Sequence, residues 1–258
     1  MYFNNVHIMF YVGIALLGLI AGKLVAWANI CIPQKKKVFS KEYFKANKEG
    51  IEKSHRLMLL IAIIYIALLY RFGIKETFFK NLDLIKFIIL TPMLVSAFFI
   101  DLKNRILPNR INLTMFEFGL ILAFVYGITN INMAKDMILG MFVGALIFIV
   151  IMLLGKLFSG KDAMGIGDIK FMGALGLFFG ASKIAEIALA GFFISAIFSL
   201  MILFIRLVIL KSKDEYIPFG PALIIAAFLS MFLPTNTMFT IFIGICTTFS
   251  NKIIELIS

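Results

Sequence analysis

Apolar runs of 15 to 25 residues, broken by short polar islands, recur along this chain from end to end. They restrict its fold more than any other feature, because a helix of ~20 apolar residues is what crosses a ~30 Å hydrocarbon core. The runs are continuous and do not alternate with period two, which excludes a water-filled β-barrel. Of the 258 residues, 62% are hydrophobic, whereas ordinary globular chains are near half apolar. The expected fold class is therefore all-α, a polytopic membrane helical bundle.

Nine spans can be drawn, at about 6–32, 57–70, 84–100, 112–128, 137–155, 169–180, 184–205, 219–233 and 237–251. The second and sixth are short for a full crossing, so the expectation is eight to nine spans. The first run lacks the basic start and small-residue cleavage site of a secretory signal and reads as a retained helix. Lys35, Lys36, Lys37, Lys41, Lys45, Lys48, Lys53 and Arg56 crowd the loop after it. Retention of basic loops in the cytoplasm puts that loop inside and the N-terminus outside. Alternation over nine spans then gathers 18 of the 25 Lys and Arg on the cytoplasmic side. The net charge of +11 is read in the same way, as membrane topology and contact with anionic lipid. It is not read as a nucleic-acid surface, since the cations do not cluster with aromatics.

Three polar islands converge on the cytoplasmic side of this topology. Asp101 directly follows Phe98-Phe99-Ile100, at the membrane edge, where an acid is costly to ionise and needs a partner or a function. Pro108 and Asn109 follow it in a turn. In the second island Gly165 and Gly167 flank Ile166, permitting unusual backbone angles and close approach, and Asp168 and Lys170 open the sixth span. An Asp at a helix start is commonly just a cap, and that plain reading stands beside the functional one. The third island, Ile217-Pro218-Phe219-Gly220-Pro221, enters the eighth span as rigid non-helical backbone, tolerated in lipid only where protein or water satisfies it.

Two aspartates that approach closely cannot both be charged and share a proton. The ionised one can deprotonate a water, and its protonated neighbour can polarise a scissile carbonyl. Other constellations are poor. Cys31 and Cys246 are isolated and suggest neither a metal site nor a disulfide, and His7 and His55 fall on opposite sides of the membrane. Glu117, inside the fourth span, is expected to be a buried structural partner, neutralising Lys23 or lining the site.

At these islands the chain resembles the type IV prepilin peptidases, the aspartic leader peptidases of pili, type II secretion and competence systems. The likeness runs from about Leu94 to Leu223 through three ordered blocks: Asp101 to the Leu-Pro-Asn turn at Asn109, the GxGD-x-K string ending at Lys170, and Pro218 to Pro221. The resemblance implies Asp101 and Asp168 as the catalytic pair. Gly165, Gly167, Lys170, Pro108, Asn109, Pro218 and Gly220 are then the residues around the substrate. It also implies a prepilin or pseudopilin substrate whose short basic leader is cut at the cytoplasmic face of the cell membrane. Proteolysis of this kind needs no metal or cofactor. Many bacterial members carry two CxxC pairs in the first cytoplasmic loop and also methylate the new N-terminus, which makes S-adenosylmethionine a second-activity cofactor; this loop has neither pair. Residues 1–83 thus read as a reduced N-terminal region and 84–258 as the membrane-embedded peptidase core. The competing readings are a presenilin-like or signal-peptide-peptidase-like protease, echoed by Pro221-Ala222-Leu223, and a proton- or cation-coupled transporter using the same aspartates.

Overall fold

The protein is described from a computed structural model, over residues 2–3, 6–33, 54–159, 164–205 and 219–257. Most of the basic loop, and Pro218 of the third island, lie outside the described residues.

After a two-residue strand pair, Tyr2–Phe3 with Val6–His7, the described residues are helical. The helices are α1 (Ile8–Cys31), α2 (His55–Phe72), α3 (Leu82–Asn104), α4 (Asn109–Thr129), α5 (Ile131–Ser159), α6 (Ile166–Ile205), α7 (Gly220–Phe232) and α8 (Thr237–Ile257). Six of them are long and apolar enough to cross a bilayer, and seven spans result if the pair α7 and α8 counts as one. The chain is a multi-pass helical membrane protein. The expected eight to nine spans come from counting α7 and α8 singly and α6 twice, and the interior of α6 explains the second choice.

Forty straight residues of α6 would be ~60 Å long, about twice the hydrocarbon core. The helix is not straight. Gly180 has φ 77° and ψ 174°, outside helical values. On α5, Gly140 abuts Gly176 and Gly180, and Gly144, one turn later, abuts Met172 and Ile184. Partners on one side of the break descend in number while those on the other ascend. The halves 166–179 (α6a) and 181–205 (α6b) therefore run in opposite directions along α5. Only glycine suits the tip, because a side chain at Gly180 would meet both a positive φ and the Asp136 carboxylate. That carboxylate accepts from the N–H of Ala181 at 3.2 Å and so caps α6b.

Helices approach closely through small residues, as is usual where lipid offers no hydrophobic driving force. A methyl on Gly176 would strike the Gly140 backbone, and methyls on Gly18 and Gly22 would strike α2 at Ala62 and Met58. Pro92 interrupts α3 and removes the amide that the Ile88 carbonyl would accept. The Tyr65 hydroxyl of α2 donates to that carbonyl instead, at 2.8 Å. One end of the bundle is laced by polar contacts that satisfy helix termini. Lys183 donates to the carbonyls of Ser230 and Leu233 at 3.1 and 3.2 Å, Arg71 donates to Phe232 O at 3.2 Å, and Glu186 accepts from the Asn236 amide. There too Asp83 pairs with Lys86 at 2.9 Å and accepts from the Tyr126 hydroxyl at 2.8 Å.

Glu117 corrects an expectation. It is exposed on the outer face of α4, and Lys23 is exposed on α1. Among the described residues no ion pair joins Glu117 to Lys23. Glu117 lies on the turn of α4 that also turns Phe118 outward, and this face looks away from α6a, which Gly119 contacts.

Replacing Gly176 by Leu is expected to force α5 and α6a apart and lower stability by roughly 2 kcal/mol or more. Gly13→Leu, where no heavy atom lies within 4 Å, serves as the neutral control. Thermal unfolding of the purified proteins in detergent, followed by circular dichroism, checks the difference.

Candidate active site

The end opposite the polar lacing is where α3 ends and α4, α6 and α7 begin. Asp101 sits in the last turn of α3. The helix closes on Arg105, which takes the left-handed conformation (φ 56°) and returns its N–H to the Asp101 carbonyl at 2.8 Å. Pro108, with φ −68° and ψ 131°, then starts α4. Its carbonyl accepts from the amides of Ile111 and Asn112 at 3.1 and 3.3 Å. Leu107, between these points, is buried, and the loop is thereby pinned inward.

Asp168 is the third residue of α6, and its carboxylate turns back to accept from the Gly165 backbone N–H. The plain reading expects Asp168 at the N-cap; Gly165 holds that place, and Asp168 reaches back to it from the third helical position. This contact coexists with exposure to a cavity. A side chain at Gly165 would press on the Asp168 carboxylate, and one at Gly167 would press on the Leu107 carbonyl at 3.3 Å. The two glycines of the GxGD string are thus spacers, one for the acid and one for the Leu-Pro-Asn turn.

The third island supplies the remaining wall. Phe219 stacks on Phe192 at 5.1 Å and lies 6.0 Å from Phe148, which holds the start of α7 against α5 and α6b. The Gly220 N–H donates to the Asp101 carboxylate, and a side chain at Gly220 would collide with that carboxylate.

A cavity of about 460 Å³ joins these pieces, with Asp101, Asp168, Arg105, Asn109, Lys170 and Gly220 among its walls. Asp101 is 4% exposed and Asp168 half-buried, and both line the same cavity. Lys170 donates to Asn109 Oδ1 at 3.4 Å across the mouth. Of the expected site residues, Asp101, Asp168, Gly165, Gly167, Lys170, Asn109 and Gly220 line this cavity. Pro108 lines a neighbouring one with Asn109 and Arg110. No cluster of three or more His, Cys, Asp or Glu suited to a metal occurs among the described residues.

One residue escaped the sequence reading. Asn112, 3% exposed, donates its Nδ2 to the Gly167 carbonyl at 3.0 Å and ties α4 to the residue before Asp168. Its signal was present: an amide at the start of an apolar span is costly unless bonded.

The architecture defines a class, polytopic helical membrane proteins with an aspartate pair facing one mouth of the bundle. Residues 88–200 match the type IV leader peptidase family and form a domain of it. A protein of Xanthomonas campestris pv. campestris named "Prepilin leader peptidase/N-methyltransferase" is 33% identical over 177 residues, 67% of this chain and 56% of the relative. Proteins of the same name from Aeromonas salmonicida and Neisseria gonorrhoeae are 31% and 30% identical over 144 and 142 residues. These alignments cover 56% and 55% of this chain and 47% and 46% of the relatives. The chain spans about half the length of the curated relatives it matches. No solved structure matches it.

A Cβ on Gly167 would lie 3.6 Å from the Leu107 Cβ, a separation that suits a disulfide, whose Cβ atoms lie ~3.8 Å apart. The double variant Leu107→Cys/Gly167→Cys is expected to cross-link under mild oxidation. Leu107→Cys/Gly127→Cys, bridging opposite ends of the bundle, is expected not to. Electrophoretic mobility with and without reductant reads the result.

Proposed function

We propose that the chain is a membrane aspartic endopeptidase that removes the short basic leader of type IV prepilin-like proteins, with Asp101 and Asp168 as its catalytic pair. One observation carries this reading: the two aspartates, on separate helices, line one cavity at one mouth of the bundle. The names of the relatives support a prepilin or pseudopilin substrate, and the basic-loop bias supports a cytoplasmic active site in the inner membrane. Residues 84–258 act as the peptidase core, and 1–83 as N-terminal spans whose basic loop contacts lipid.

The pair works as one unit holding one proton. The ionised carboxylate takes a proton from a water in the cavity as the water oxygen attacks the scissile carbonyl. The protonated carboxyl donates to the carbonyl oxygen, so a neutral gem-diol forms instead of a bare oxyanion. Collapse breaks the C–N bond, and a proton returns through the aspartates to the leaving amine. The Gly220 and Gly165 amides hold the two carboxylates in place without carrying charge themselves. Lys170, bonded to Asn109, sets a polar rim at the mouth.

The relatives' second name is compatible with S-adenosylmethionine. The cavity beside the start of α2, about 520 Å³, offers Asn29, Ser54, Lys103 and Asn104 but no carboxylate. The oxygens of Asn29, Ser54 and Asn104 are acceptors of the kind ribose hydroxyls need, and a methyltransferase activity stays a second, separate proposal. A transporter reading is disfavoured by the position of both acids at helix ends and not near the middle of a span.

Asp101→Asn and Asp168→Asn should each reduce cleavage of a prepilin in detergent by roughly 10³-fold or more while the protein still inserts. Full cleavage by either variant refutes the assignment. The rate of the unaltered protein should fall on both sides of a pH optimum. Low pH protonates both carboxyls and removes the base; high pH ionises both and removes the acid.

A further inference from the structure

A second opening adjoins the aspartate cavity. It is a groove of about 500 Å³ walled by Asn112, Leu113 and Phe116 of α4 and by Met141 and Ala145 of α5, with Ile169, Gly173 and Ala174 of α6a as its floor. Asn109 and Lys170 line both the groove and the aspartate cavity, so one continues into the other. Leu113 is 58% exposed, which leaves the groove open sideways, along the face that meets lipid.

The groove is apolar except at its upper end, and there Asn112 carries an unusual feature. Its Nδ2 is committed to the Gly167 carbonyl, which fixes the amide orientation. Its Oδ1 is buried and has no hydrogen-bond partner. A buried acceptor left bare costs ~1–3 kcal/mol, more than a protein retains without return. A donor arriving in the groove that Asn112 lines would supply the missing partner.

The geometry points to the first turn of an apolar helix as the occupant, and we propose that this groove receives the membrane helix of the substrate. The inference rests on the peptidase reading and adds where the substrate docks. Within lipid a helix pairs all its amides internally except those of its first turn, which remain as donors. Asn112 is one hydrogen bond from Gly167, next to Asp168. A helix whose first amides reach Asn112 Oδ1 therefore places the peptide bond just before it at the aspartates. The small residues Gly173 and Ala174 on the floor let a helix backbone come close. Because the acceptor is buried, docking requires the groove wall to open over it.

The test captures the docked state. In the Asp168→Asn background, Leu113→Cys is incubated with a prepilin bearing one cysteine in the first turn of its apolar helix, under mild oxidation. Phe124→Cys, three turns down the same face of α4 and 75% exposed, and Ile63→Cys on α2, 63% exposed, are the controls. The protein without an added cysteine measures the background. The expected result is a cross-link at Leu113→Cys at least fivefold above every control. In the catalytically intact protein, Leu113→Trp should raise KM about tenfold with kcat within twofold, as loss of binding shared by ground and transition states requires. Equal cross-linking at all positions, or none at Leu113→Cys while the unaltered protein cleaves the same substrate, overturns the groove and leaves the peptidase reading standing. Failure of the unaltered protein to cleave that substrate overturns both.

Discussion

A backbone amide or carbonyl left bare in hydrocarbon costs several kcal/mol, so irregular chain survives in a membrane only where protein or water satisfies it. Most of this architecture follows from that constraint. Where Pro92 deprives the Ile88 carbonyl of its amide, a tyrosine from the next helix supplies the bond. At the reversal around Gly180, an aspartate from α5 caps the returning half. The carbonyls that end α7 are met by Lys183 and Arg71. The same constraint governs the opposite end, where three irregular segments meet around a polar cavity. There the Gly165 and Gly220 amides meet the aspartates, and the Gly167 carbonyl accepts from Asn112.

The two ends of the bundle are consequently different in kind. One is laced by side chains that close on helix termini and leaves few polar groups without partners. The other is held by backbone and small residues: Gly165, Gly167 and Gly220 each stand where a side chain would displace a carboxylate or the loop beside it. This distribution rigidifies the far end and leaves room at the near one. A pair of acids gains from such a frame because glycine amides can orient both carboxylates without contributing a countercharge. A lysine in their place would hold both acids ionised and remove the shared proton on which hydrolysis depends.

Much of this was legible in the sequence for a definite reason. In a chain this apolar each polar island is conspicuous, and Asp101, Asp168 and Gly220 were found because they interrupt the runs. The boundary near 180–184 was legible as well, and it marks the tip of a helical hairpin in which α6 doubles back on α5. Long-range partnership was not legible. The Tyr65 contact with Ile88 depends on which helices become neighbours, and nothing local to Tyr65 announces it. Glu117 was misjudged for a related reason. Its cost in lipid suggested burial, but its angular position on α4 turns it away from α6a, and only the packing of Gly119 against Leu177 and Phe178 fixes that angle.

Asn112 shows how a local rule and a global arrangement combine. By spacing alone it is one polar residue at the start of an apolar span, within reach of its own helix terminus. Packing gives its amide two unequal halves, one bonded to the loop that carries Asp168 and one buried without a partner, in a residue that lines the apolar groove. A residue serving only the loop has no need of a second polar atom, and a residue serving only as a cap would turn its oxygen to the α4 amides. The Pro108 carbonyl meets the amides of Ile111 and Asn112, and no hydrogen bond within the fold uses the orphan oxygen. Its position is best understood from outside the chain, as the point where an incoming helix start is recognised and brought level with the acids.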